Sequence, residues 1–290
     1  MISLWSILAL AGACLSALAT VLHKKYFSVN NYIVIAPLSF LITAFCLLGL
    51  SWLEGFPVLL PGFWLAVITT TILNVIMSNL YYQSVIHDDI SLVVPLLSFS
   101  PVIVSISALI FLHEQPTLTG LIGMLLIVAG VYLLNLQPKM KLWQPLTALL
   151  ASKWSIYMLA VSLLAGISIS FDKMSVLTSN SRFGPGLVYL LIALGYGVQL
   201  LIFKHQPLNS VINRRSILIA ATIGLITTIA TIAIGEAYRL TLASYVSSIH
   251  RLSILITVLL GASFFQEKYL AKRMVAASFC VIGAILIMGK

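Results

Sequence analysis

The sequence predicts an all-α integral membrane fold of ten transmembrane helices, arranged as two inverted five-helix repeats. Three observations predict it. Hydrophobic side chains make up 61% of the 290 residues and charged ones 8%, a balance foreign to a water-soluble domain of this size. Apolar runs of membrane-spanning length recur ten times, and the two halves of the chain share residues at a constant offset. At about 20 apolar residues per span, ten spans use roughly 200 residues and leave about 90 for connections and ends. No soluble domain fits in what remains, which excludes Rossmann, P-loop and barrel enzymes.

The expected spans fall at 4–22, 31–53, 63–83, 90–112, 118–136, 154–172, 183–203, 216–238, 243–265 and 272–289. The first follows Met1-Ile-Ser-Leu-Trp5, which lacks the basic region of a cleavable signal peptide, so it is expected to be retained. The third carries the densest cluster of neutral donors and acceptors, Asn74, Asn79, Tyr81, Tyr82 and Gln83. Asp88 and Asp89 are placed to cap the fourth, in which Pro95 and Pro101 flank Ser98 and Ser100 and free backbone carbonyls at membrane depth. Gly123 and Gly130 share a face of the fifth, where small residues let helices approach closely. The longest break, Gln137 to Lys153, holds Pro138, Lys139, Lys141 and Pro145 and separates two halves of five spans. Asp172-Lys173 closes the sixth span, and Glu236 with Arg239 one turn later lies at the end of the eighth. The ninth contains His250-Arg251, and the tenth pairs Ala276 with Gly283 at the spacing of Gly123 and Gly130.

Offset by 153, Phe111-Leu-His-Glu114 lies over Phe264-Phe-Gln-Glu267, Gly130 over Gly283, Ser91 over Ser244 and Val93 over Val246. Each half therefore ends in a span, a tight polar turn with Glu, and a last span with a late Gly. With five spans per half, the second copy must enter the membrane in the opposite sense. The expected domains are a first repeat at 1–136, a linker at 137–153 and a second repeat at 154–290.

The patterns Glu114-Gln-Pro…Gly120…Gly130-Val-Tyr-Leu-Leu and Glu267-Lys-Tyr…Gly283-Ala-Ile-Leu-Ile resemble the drug/metabolite transporter (DMT) superfamily, in particular its EamA-type ten-helix transporters. That resemblance implies inverted repeats, a central cavity and alternating access. A second, partial one concerns the plastid sugar-phosphate translocators of the same superfamily. Val246-Ser-Ser-Ile-His250-Arg251 looks like their ninth helix, where an adjacent Lys-Arg pair grips phosphate, and Leu22-His23-Lys24-Lys25-Tyr26 looks like the end of their first. His250 stands where that family has Lys, which disfavours a divalent phosphate and leaves a carboxylate or monoanion compatible.

A charge near the bilayer centre costs at least about 2.5–3.5 kcal/mol, so charges and polar groups inside spans mark function. Arg251, nine residues into its span, is the first candidate for substrate binding, with a structural partnership with Glu236 or another carboxylate, or a place at the membrane interface, as the alternatives. It aligns with Ser98, so the first repeat lacks the charge and the cavity is expected to have one positive pole, suited to an anionic substrate end. His250, Lys24, Asn74, Tyr82 and Ser98 complete the candidate substrate-binding set. Glu236 is a candidate proton carrier against a plain helical pairing with Arg239, and Asp172 with Lys173 a candidate gate against an interfacial anchor.

The formal charge of +9 comes from Lys and Arg placed mostly between apolar runs, as anchors, so nucleic acid is not an expected partner. The partners expected are a small-molecule substrate, lipid and protons, with the chain a monomer or homodimer in the cell (plasma or inner) membrane. Cys14, Cys46 and Cys280 lie in apolar runs and read as small hydrophobes. No metal, cofactor or catalytic residue is expected. Counted under alternation, Lys and Arg place both termini outside, whereas the family resemblance implies both inside. The expected function is alternating-access transport of small polar metabolites bearing an anionic group, of amino acid, organic acid or sugar-phosphate type. The alternatives are export of hydrophobic amines or drugs and a membrane-embedded lipid enzyme.

Overall fold

A computed structural model describes residues 3–26, 29–87, 94–136, 140–202, 214–257 and 270–288, and every regular element among them is helical. In chain order they are α1 (Leu4–Tyr26), α2 (Val29–Glu54), α3 (Phe63–His87), a 3₁₀ turn (Val94–Phe99) running into α4 (Ser100–Leu112), α5 (Leu118–Asn135) and α6 (Gln144–Ala151). The second half continues with α7 (Lys153–Leu177), α8 (Phe183–Ile202), α9 (Arg214–Leu240), α10 (Ala243–His250) and α11 (Leu270–Met288). Within α1, α2, α3, α7 and α9 lie five segments long and apolar enough to cross a bilayer, and Leu96–Leu112, Leu118–Leu134, Phe183–Val198 and Val275–Met288 are shorter apolar helices. Side chains that a soluble fold would bury, such as Trp52, Trp64, Ile110, Leu118 and Ile285, stand exposed on the outer faces, where lipid covers them.

Four details depart from the expected spans. The fourth starts as a 3₁₀ turn ahead of Pro101, which occupies the first turn of α4, where a missing N–H leaves no helix bond unmade. The linker at 137–153 is not wholly irregular, because α6 forms within it and Leu146 packs against Leu96, Met158 and Val161. The sixth span does not close at Asp172-Lys173: α7 runs on to Leu177, since both charged side chains find protein partners and need not reach water. The ninth breaks at Arg251 before the helix resumes over 252–257. There Ile254 N–H donates to the Arg251 carbonyl three residues back, a locally tightened turn.

Small residues decide the closest packing. Gly123 of α5 meets Gly283 of α11, and a methyl added at Gly123 would lie 2.7 Å from the Gly283 carbonyl oxygen. One at Gly130 would lie 2.6 Å from Cys280 Sγ and 2.7 Å from the Ala276 oxygen. The face read from the seven-residue spacing is thus a contact between α5 and α11, the most extensive helix pair among the described residues. The next most extensive are α3 with α7, α1 with α9, and α2 with α8. Exchanging each helix for the one five spans on maps α3–α7 onto α1–α9 and leaves α2–α8 and α5–α11 unchanged. The largest buried cluster joins Trp5 and Ala9 of α1, Val104 and Ala108 of α4, Ile127 of α5, Val246 and Ile249 of α10, and Ile287 of α11. It anchors α10 and thereby fixes where Arg251 points.

Candidate functional site

A cavity of about 310 Å³ opens among α3, α7, α8, α9 and α10. Helical spacing explains its lining. Ser247, His250 and Arg251 stand at i, i+3 and i+4 on one face of α10, as do Pro185, Val188, Tyr189 and Ile192 on α8 and Thr231, Ile234, Gly235 and Tyr238 on α9. From α7 come Ile169, Asp172 and Val176, and from α3 Asn74. The lining combines aliphatic side chains, two tyrosines and the charged Asp172 and Arg251.

Three groups that line the cavity from the second half, Arg251, His250 and Asp172, each meet a hydroxyl from the first. Arg251 donates through Nη2 to Ser100 Oγ at the start of α4. The His250 ring, through Nε2, is 2.9 Å from Ser16 Oγ on α1. Thr70 of α3 donates to Asp172 Oδ1. Asn74 extends that last group, donating to Ser168 Oγ at 3.0 Å and to the Thr70 carbonyl at 2.8 Å. Among the described residues neither Arg251 nor Asp172 enters an ion pair. Ser247 is buried with its hydroxyl unpartnered.

Of the candidate substrate-binding residues, Arg251, His250 and Asn74 therefore share one cavity. The side chains of Lys24 and Tyr82 lie outside the described residues. Ser98 is buried in the 3₁₀ turn and away from the cavity, its hydroxyl without a partner; Ser100, two residues on, reaches Arg251 instead. Glu236 faces away from the cavity. It accepts from Ser181 Oγ at 2.5 Å and from Arg239 at 3.3 Å, because one step along α9 from Gly235 turns the side chain by about 100°. Arg251 is accordingly not the partner of Glu236.

Asp172 and Lys173 point apart and are not a pair with each other. Lys173 is 2.5 Å from Glu114 and also donates to the Thr241 carbonyl, while Glu114 accepts the Ala243 N–H at 2.8 Å at the start of α10. Sequence inspection missed Asp172 as a cavity group, together with Tyr189, Thr231, Tyr238 and Ser247. For Asp172 the available signal was Met174-Ser-Val-Leu177, which continues a helical run past the charged pair.

Fold and site together define an all-helical, multi-pass membrane protein with a small cavity lined mostly by the second half of the chain and closed on one side by Asn74 of the first. The family profile described as the EamA-like transporter family matches residues 3–136, and over that span the chain is similar to that family. Its members are membrane transporters of small molecules and not enzymes. An uncharacterized protein of Methanocaldococcus jannaschii is 39% identical over 69 residues, 24% of this chain. The chain spans 50% of the length of that curated relative. A protein of known crystal structure superposes with a TM-score of 0.76 at 13% identity, over 99% of this chain and 98% of its own, and shows the same fold. The resemblance to sugar-phosphate translocators rests on the two sequence segments alone.

Proposed function

We propose that the chain is a secondary transporter that moves a small polar metabolite bearing an anionic group across a cell membrane by alternating access, its two halves acting as inverted repeats. The observation that carries this is Arg251: a guanidinium facing a cavity between helices, held only by the neutral Ser100 hydroxyl among the described residues. A buried cation without a counter-ion is costly, and an anionic ligand supplies the missing charge in bidentate geometry. His250 beside it and Asn74 across the cavity are its accompanying polar contacts. The cavity lies at the low end of the roughly 300–1,000 Å³ typical of small-molecule sites, in keeping with a metabolite rather than a bulky drug.

The test is uptake into proteoliposomes. Arg251→Ala abolishes transport of the substrate while the purified protein keeps its thermal unfolding transition. Glu236→Gln, which alters a group outside the cavity, leaves apparent affinity unchanged. Undiminished uptake by Arg251→Ala contradicts the anion site, and the opposite ranking of the two variants points to amine export through Glu236.

A further inference from the structure

We propose that the cavity has two opposite poles and that its ligand is a zwitterion, with an ammonium held at Asp172 and a carboxylate held at Arg251. This rests on the anion-recognition role of Arg251 and adds a requirement that role does not contain. Asp172 lines the same cavity as Arg251 from a different helix, accepts only from Thr70, and has no cation paired with it among the described residues. The nearby Lys173 is committed to Glu114 on another face of α7. Two opposite charges that face one cavity and are each satisfied only by a hydroxyl are matched by a ligand carrying the complementary pair.

The surroundings agree with an ammonium at Asp172. Tyr189 and Tyr238 line the same cavity as Asp172 and Arg251. Ring faces attract ammonium groups, and the pairing is strongest where water is excluded. Ile169, Val188, Ile192 and Ile234 also line the cavity and offer apolar surface for a short hydrocarbon body, and the unpartnered Ser247 hydroxyl, one helical turn from Arg251, offers one further donor. A simple organic anion or a sugar phosphate would leave Asp172 facing it, a like charge that disfavours binding.

Binding of three matched ligands to the purified protein tests this: L-leucine as zwitterion, isocaproate as the same skeleton without the amine, and isoamylamine as the same skeleton without the carboxylate. L-Phenylalanine, hydrocinnamate and phenethylamine form a parallel aromatic set. In at least one set the zwitterion binds tighter than either single-charge relative by about tenfold or more, the least expected from losing one partner of a buried charge pair. Asp172→Asn removes the advantage of the zwitterion over the anion, and Arg251→Gln removes its advantage over the amine. If either variant fails to fold, the wild-type ranking still decides. Equal binding of zwitterion and anion, unaltered by Asp172→Asn, overturns the second pole and leaves anion transport standing. Equal binding of zwitterion and amine, unaltered by Arg251→Gln, overturns both. Absence of binding by every member of both sets overturns the zwitterion assignment.

Discussion

Glu114 lies in the turn after α4, between His113 with its left-handed backbone (φ 54°) and the start of α5, and its carboxylate serves two clients. It neutralises Lys173, whose side chain is 6% exposed, and it caps the first turn of α10, where an acidic group also meets the positive end of the helix. Glu114→Gln leaves a buried ammonium without its counter-ion and is expected to cost about 3–5 kcal/mol, seen as a lower unfolding temperature in detergent. The double variant Glu114→Leu/Lys173→Met, which removes both charges, recovers much of that loss; no recovery would mean the pair is not coupled. The motif Glu114…Gly120…Gly130 was legible as a pattern, but its physical content was not. Gly120 is where Tyr245 of α10 lies against α5, with its hydroxyl accepting the Thr117 N–H at 3.0 Å. Arg251 was legible because a lone guanidinium in an apolar run has few excuses. Asp172 was not, because adjacent to Lys173 at the end of an apolar run it looked like an interfacial pair. Side-chain directions, which differ by about 100° between neighbours on a helix, separate the two.

At the scale of elements, α5 and α11 depend on small residues for their approach. Gly123→Leu forces its side chain into the Gly283 carbonyl and Ile287, and overpacking of this kind costs about 1–3 kcal/mol, measurable by thermal unfolding. Gly197, which faces open space, is the matched control: a leucine there leaves the transition in place. The broken start of α4 and the break at Arg251 have a joint effect, since the 3₁₀ turn sets Ser100 at the helix start opposite the guanidinium. Ser100→Ala removes a hydrogen bond to a charged group, a contribution of about 1.5–3 kcal/mol, and is expected to lower the unfolding temperature and to raise the apparent KM for the substrate severalfold. Here the sequence was informative about existence and less so about ends. Two prolines announced a break in the fourth span, but which hydroxyl it presents depends on a register that one turn of 3₁₀ geometry shifts, so Ser98 was expected and Ser100 is found.

For the whole molecule, three cross-half contacts connect the cavity to the packing of the halves: Ser16 with His250, Thr70 with Asp172 and Ser100 with Arg251. In the proposed alternating-access cycle, relative movement of the halves would alter all three together and so link exposure of the cavity to the hold on its charged groups. The all-helical class was readable from composition alone, because lipid requires spanning segments to satisfy their backbone internally. The cavity was not, because it forms where faces of five helices converge and depends on rotations that no run of apolar residues records. Its alternate opening is tested most directly by a single cysteine at Ser247, in a protein whose Cys14, Cys46 and Cys280 are replaced by alanine, with a membrane-impermeant thiol reagent applied to each side of sealed vesicles in turn. Labelling from both sides, slowed in each case by the transported substrate, is the predicted result; a cysteine that reacts from one side only, at a rate the substrate leaves unchanged, would contradict it.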